Sequence, residues 1–509
     1  MKRFARSALL AIITIPLGPA LSQAPGDDLR RASDDIEPAA VYGYCKALCS
    51  PDYEGRLTGT RGYKAYADWA ADTFKAWGLR PMPTDGTYLQ DFPAPHCLID
   101  EAAMVLLLPE PAGSQPPTTQ QAAKPKFREA SLKLAEEFFP LLYSDSGDQE
   151  ADIVFAGWGI HAPDLGYDDY AGLDANSKFV LCFRGTPEHD DNRFMHHDQH
   201  RTRMQTARKL GAVGLIYIED GIHVNPNGEW LEGFLPASIT EQAAGQILAE
   251  RKMTSTELRG WLEKTKRPQS FALSSRIHLS VKSRHFPNAV GYNVVGIVPG
   301  ADRGLSDECV VIGAHLDACG KHAGLLFAGA EDNASGAAAV MAAAEAFAGL
   351  REPPKRSVVF VLFGGEEMGL LGSPHFAKNL PPPFKKIHAM LNLDMVGEGD
   401  GLHLGYTANG EGLKAALDRA DRIVRTVRGS TVIRQVGVRS SDYAPFFELG
   451  APCASFYSNG PHLSYHQAGD TIYRINPDML GDVARLVFLA TYYWADAPPE
   501  PTTTRSGNG

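Results

Sequence analysis

The stretch SVVFVLFGGEEMGLLGS, Ser357 to Ser373, starts as an apolar run of strand length and ends in a turn that carries two adjacent glutamates, Glu366 and Glu367. An apolar run with no polar alternation predicts a strand buried on both faces, and therefore a sheet with helices above and below it. A packed strand has no use for two carboxylates at its end, so the pair points to a site. Working outward, ECVVIGAHLD (308–317), the alanine-rich ASGAAAVMAAAEAFAGL (334–350), RSVVFVLFGGEE (356–367), a further helix and KIHAMLNLDMVG (386–397) alternate strand with helix. That alternation gives an α/β fold.

In an open α/β sheet, ligands collect at the carboxyl ends of the strands. His315 and Asp317 end one apolar run, Glu366 and Glu367 the next, and Asp394 lies in LNLDMVG. Asp332, in GAEDNASG, precedes a helix, and His466, in SYHQAGDT, follows the apolar APCASFYS. A lone histidine or aspartate at such a place is usually a cap or a solvated residue. Recurrence along one sheet edge changes that reading. These imidazoles and carboxylates exceed what one tetrahedral zinc takes, whereas two zinc ions sharing a bridging carboxylate would use them all.

Through HLD, AEDNASG, GEEMGLLGS, NLDMVG and YHQAGDT, in that order, the chain resembles the secreted dizinc exopeptidases of the zinc aminopeptidase and glutamate carboxypeptidase type. The resemblance covers about 288–495 and a portion nearer the N-terminus, and it implies a mixed, mostly parallel central sheet with helices on both faces. It further implies two Zn2+ per chain: Asp332 bridging, His315 and Asp394 completing one site, Glu367 and His466 the other. Glu366 is then the general base, left unbound to take a proton from the activated water and relay it to the leaving amine. Tyr465 corresponds to a tyrosine that hydrogen-bonds the tetrahedral intermediate in the carboxypeptidase relatives, and Asn333 follows a peptide bond that is often cis. Aminopeptidase relatives have a tyrosine shortly before an SDH motif; here Val438 and Ser441-Asp442-Tyr443 stand in those places.

Spacing suggests supporting roles. Asp317, two residues beyond His315, could accept the imidazole's other N–H, and Asp470 could do the same for His466 or cap a turn. Cys319 and the polar stretch EHDDNRFMHHDQHR (188–201) are weaker metal candidates, read as a small buried residue and a solvated loop.

The remaining sequence sets the boundaries. Lys2, Arg3 and Arg6 precede an apolar stretch too short to span a bilayer, so 1–24 reads as a signal peptide and the protein as exported, periplasmic or extracellular, with no membrane contact once the signal is removed. Residues 35–130 read as the N-terminal part of the peptidase domain, with a helix in YKAYADWAADTFKAWGL closed by Gly78 and an exposed loop from Glu110. Short strands from 135 to 285, with one helix near 203–210, read as a largely β insert. It resembles a protease-associated domain through VFAGWGIHAPDLGYDDYAGLD and ARKLGAVGLIYIED. Residues 288–497 form the catalytic domain and 498–509 a disordered tail. The formal charge of -11 argues against a nucleic-acid partner. The odd count of seven cysteines leaves at least one thiol unpaired, and Cys45 and Cys49 read as packed residues on one helix face.

The sequence thus predicts an exopeptidase acting on peptides, foremost an aminopeptidase. A metallocarboxypeptidase, with Arg434 or Arg439 holding the substrate carboxylate, is the alternative; a glutaminyl cyclase-like transferase and a binding protein without catalysis rank behind it.

Overall fold

The run SVVFVLF forms the strand Ser357–Phe363, every residue of it buried. Val358, Phe360 and Leu362 enter the core on one side of the sheet, Val359, Val361 and Phe363 the core on the other. The computed structural model describes residues 25–110, 126–188, 192–226, 230–436 and 441–498. The strand lies third in an eight-stranded sheet whose order is 89–93, 290–298, 357–363, 308–315, 386–393, 453–458, 402–407 and 427–433. The three strands that lead to the candidate residues, 308–315, 357–363 and 386–393, run parallel, and 453–458 is parallel to 386–393. Strands 89–93, 290–298 and 402–407 make the antiparallel pairings.

One face of this sheet carries the helices Pro38–Leu48, Arg61–Trp77, Gly336–Ala348, Glu411–Val424 and Pro477–Ala495; the other carries Gly372–Lys378 and Ala444–Glu448. Arg61–Trp77 is the expected helix. Thr60 caps its start by accepting from the Tyr63 N–H, and Gly78, at φ 85, ends it. Gly336–Ala348 is buried almost all round, which explains its alanines: small side chains let a helix press closely against the sheet.

The second sheet departs from the expected boundaries. Its order is 127–131, 96–109, 270–286, 147–156, 179–183, 214–219, 237–240 and 138–140. The strands His96–Pro109 and Phe127–Ser131, placed by sequence within a peptidase portion running to 130, belong here. His96–Pro109 pairs along Ser270–Phe286, and the two strands flanking 111–125 pair with each other. The proline- and glutamine-rich stretch after Glu110 looked like a boundary between units, but it interrupts two adjacent strands of one sheet. The insert is built largely on strands, as expected, but among the described residues it carries three α-helices where the sequence suggested one. Strands 147–156, 179–183, 214–219 and 237–240 run parallel, and the helices His200–Lys209, Glu241–Leu248 and Ser255–Thr265 accompany them. The third of these starts at a capping box, Thr254 with Glu257, a signal present in the sequence.

All seven cysteines are unpaired, Cys45 buried on its helix as expected. Among the described residues no helix is long and apolar enough to cross a membrane. The expected signal peptide and nearly all of the expected tail lie outside the described residues.

Candidate metal centre and active site

The site forms where the parallel strands stop. His315 is the last residue of its strand, Asp394 follows the end of Lys386–Leu393, and Glu366 and Glu367 follow Ser357–Phe363 after two glycines. Both glycines are required: a Cβ at Gly364 would fall 2.2 Å from the Tyr63 hydroxyl, and Gly365 sits at φ 70. His466 arrives from the loop after Cys453–Ser458.

One carboxylate joins two clusters. Asp332 Oδ1 lies 3.1 Å from His315 Nε2, and Asp332 Oδ2 lies 3.2 Å from His466 Nε2. Asp394 Oδ1 is 3.3 Å from His315 Nε2, and Glu367 Oε2 is 2.9 Å from His466 Nε2. The five residues expected as ligands are therefore brought together, Asp332 lying between His315 and Asp394 on one side and Glu367 and His466 on the other. Glu366 stands slightly apart, its Oε2 4.0 Å from His315 Nε2.

The electrostatics call for cations. Burial pushes the Glu366 and Glu367 carboxyls up, and neighbouring carboxylates add to it. Burial disfavours the charged form of His315 and His466, yet the carboxylates around them hold both imidazoles well above their usual range. Protons are drawn in to balance buried negative charge. Glu367 Oε1 is buried without a hydrogen-bond partner. Imidazole nitrogens and carboxylate oxygens are the donor set of zinc, and Asp332 offers one oxygen to each side, so the residues fit a pair of divalent ions. Among the described residues, the side-chain groups able to hold an ion are His315, Asp332 and Asp394, and Cys319, Glu367 and His466.

The support differs from what spacing suggested. His315 Nδ1 lies 3.2 Å from the main-chain oxygen of Asp317 and 3.6 Å from its carboxylate, which accepts the Glu366 N–H. Asp470 does not reach His466; it accepts the N–H groups of Glu331 and Asp332 at 2.8 and 3.1 Å and so holds the bridging segment. The Asp332–Asn333 peptide is cis. Asn333 donates to Leu393 O and accepts from Gly336 N and Met395 N, tying the Asp332 and Asp394 segments together.

Sequence reasoning missed three residues. Glu331, buried, accepts from Gly397 N and Ser458 Oγ. Asn225 faces His466 Nδ1 at 2.9 Å. Arg56, fully buried, donates to the carbonyls of Leu48, Leu316, Ala328 and Gly329 at 2.7–2.9 Å, joining the segments that carry His315 and Asp332. Replacing it by methionine takes the donor from the buried carbonyls of Leu48, Leu316 and Ala328, while Gly329 O keeps the Ala334 N–H. Arg56→Met is expected to cost about 3–5 kcal/mol and to lower Tm by about 10 °C. A loss below ~1 kcal/mol in urea denaturation would show that these segments hold without it.

Tyr465 is half-exposed, stacks on the His466 ring at 3.8 Å, and has its hydroxyl held protonated by burial and by Asp332, Glu367, Glu366 and Asp394. Cys319 is buried as expected, its thiol donating to Val224 O, though it also borders Glu367 and His466. Asp442 is fully buried, Tyr443 is buried, and Val438 and Arg439 lie outside the described residues. In the 188–201 stretch Asp198 pairs with Arg203, and His200 meets the Tyr217 hydroxyl, which are packing roles.

Residues 293–491 match the model of peptidase family M28. The chain carries an M28 peptidase domain. Over 462 residues it is 26% identical to an aminopeptidase of Pseudomonas aeruginosa, covering 84% of this chain and 74% of that one. A peptidase M28 precursor from Shewanella amazonensis superimposes with a TM-score of 0.66 at 20% identity, covering 94% of this chain and 98% of that one. A zinc aminopeptidase from Bacillus subtilis does so with a TM-score of 0.59 at 21% identity, covering 90% and 95%. At these identities the structural likeness is one of fold, and it extends well beyond the M28 domain.

Proposed function

We propose that the protein is an exported zinc-dependent aminopeptidase that hydrolyses N-terminal residues from peptides. The observation that carries this reading is Asp332, whose two carboxylate oxygens each face a different imidazole, His315 and His466, with Asp394 and Glu367 completing the two sides. When bound, two zinc ions supply the Lewis acidity that makes water nucleophilic at neutral pH. Glu366, near the cluster yet outside the closest contacts, takes the proton from the attacking water and delivers it to the departing amine. The similarity to a protein named aminopeptidase supports the same end of the peptide.

The groups that act on Glu366 and Tyr465 are carboxylates and, for Glu366, His315. A carboxypeptidase would need a cation facing the substrate's carboxylate, and Arg434 is exposed at the end of the strand Val427–Ile433. Export rests on the basic and apolar pattern of the first residues, and would place the enzyme in the periplasm or outside the cell. The second sheet with its helices we read as a protease-associated-type insert.

With zinc supplied, the purified protein is expected to release N-terminal residues from free-amine peptides and to leave N-blocked peptides intact; C-terminal release from blocked peptides would overturn the reading. Tyr465 is assigned to donate a hydrogen bond to the developing oxyanion. Tyr465→Phe is then expected to lower kcat by roughly 10-fold to 10³-fold with little change in KM. A change in KM alone would make it a substrate-binding residue instead.

A further inference from the structure

Beside His466 the loop's main-chain hydrogen bonds are local turns: Tyr465 N to His462 O, Gln467 N to Ser464 O and Asp470 N to Gln467 O. The loop's ties to the catalytic domain lie further off, at His462 N with Glu398 and at the Asp470 carboxylate with Glu331 and Asp332. The His466 backbone is at φ 53, the left-handed region that favours glycine, so the loop needs outside support to keep this residue there. A short segment of the second-sheet unit supplies it. The Val224 N–H donates to His466 O at 3.0 Å, His223 Nδ1 lies 2.9 Å from Tyr465 O, and Asn225 Oδ1 lies 2.9 Å from His466 Nδ1. Val224 also accepts from the Cys319 thiol at 3.5 Å, so one peptide unit on either side of Val224 Cα touches the loop of His466 and the loop that follows His315. The contact is anchored, since Cys319 and Phe327 of the catalytic domain pack into the apolar core of the second-sheet unit with Ile222 and Val224.

We infer that the segment His223–Asn225 is a positioning arm by which the insert completes one half of the metal centre, with Asn225 fixing the tautomer and ring orientation of His466. An amide oxygen can only accept, so His466 Nδ1 must carry the hydrogen. When the imidazole is neutral, as a metal ligand must be, the lone pair is then on Nε2, the nitrogen that faces Asp332 and Glu367. His315 is oriented from within the catalytic domain, by the Asp317 main chain, so only one side of the centre depends on the insert. Asn225 is a positioning residue: it acts through His466 and touches neither substrate nor reacting atoms.

This inference rests on the two-zinc reading, and zinc titration separates the two. Zinc binding to wild type, Asn225→Leu and Asn225→Asp is measured by competition with a chromogenic chelator, alongside the Tm of each metal-free protein. Asn225→Leu is expected to weaken one of the two zinc ions by roughly 10-fold to 100-fold and to leave the other unchanged. Asn225→Asp, which keeps an acceptor at Nδ1, is expected to retain both, and the metal-free Tm values should agree. Two zinc ions held equally by all three proteins would overturn the role of Asn225. Equal weakening of both ions in Asn225→Leu, or weakening matched by Asn225→Asp, would also overturn it, since neither follows from a lost acceptor at His466. A wild type that binds fewer than two equivalents would instead sink the two-zinc reading itself.

Discussion

Glu366→Gln is expected to lower kcat by at least ~10²-fold while the protein still binds two zinc ions per chain. The two adjacent glutamates sit differently. The Glu367 side chain is 2% exposed and its Oε2 is 2.9 Å from His466 Nε2, whereas Glu366 is 17% exposed and keeps 4.0 Å from His315 Nε2. Glu367 is thus placed to be consumed by a metal, and Glu366, partly exposed, to exchange a proton with water. Glutamine preserves the size and polarity of Glu366 but cannot accept a proton, so the loss should fall on kcat and spare metal content. Glu367→Gln should instead lose one equivalent of zinc. Unchanged turnover in the first variant would remove Glu366 from proton transfer, and equal zinc content in both would contradict the division of labour.

These residues were legible in the sequence because each stands at a place with a local signature. An apolar run ends, a histidine or carboxylate follows, and the sheet topology brings the ends together. His315, Glu367 and Asp394 are all of this kind. What supports them is not local. Asn225 meets His466 across 241 residues, and Arg56 reaches Ala328 and Gly329 across 272 and 273. No periodicity connects such partners, and EGRLTGTRG around Arg56 reads only as a turn. For Asp470 the sequence offers a bond to His466 or a turn cap, whereas its carboxylate accepts from Glu331 and Asp332, 139 and 138 residues away, which closeness along the chain does not show. The strand His96–Pro109 was missed for a related reason: a loop-like composition beside it resembled a domain boundary, whereas its pairing partner, Ser270–Phe286, lies over 150 residues further on.

An amino-acid 4-nitroanilide with a free amine is expected to be cleaved, and its N-acetyl form to be spared by a factor on the order of 10³ or more. The cause is the charge that surrounds the reacting centre. Asp332, Asp394, Glu366 and Glu367 all act on the Tyr465 hydroxyl, so a substrate lying against Tyr465 meets an acidic wall. Zinc would neutralise part of it, and the carboxylate oxygens left over can accept charge-assisted hydrogen bonds from an α-ammonium. An acetylated amine brings no charge and leaves those acceptors desolvated and unpaired, a penalty larger than the bond it fails to make. A C-terminal carboxylate would be repelled by the same groups unless a guanidinium faced it. Cleavage of both anilides at similar kcat/KM would mean that the acidic wall does not read the amine. The search for the determinant of specificity would then move to Arg434 and Arg439, and Arg434→Ala or Arg439→Ala should abolish release of C-terminal residues if either holds the substrate carboxylate.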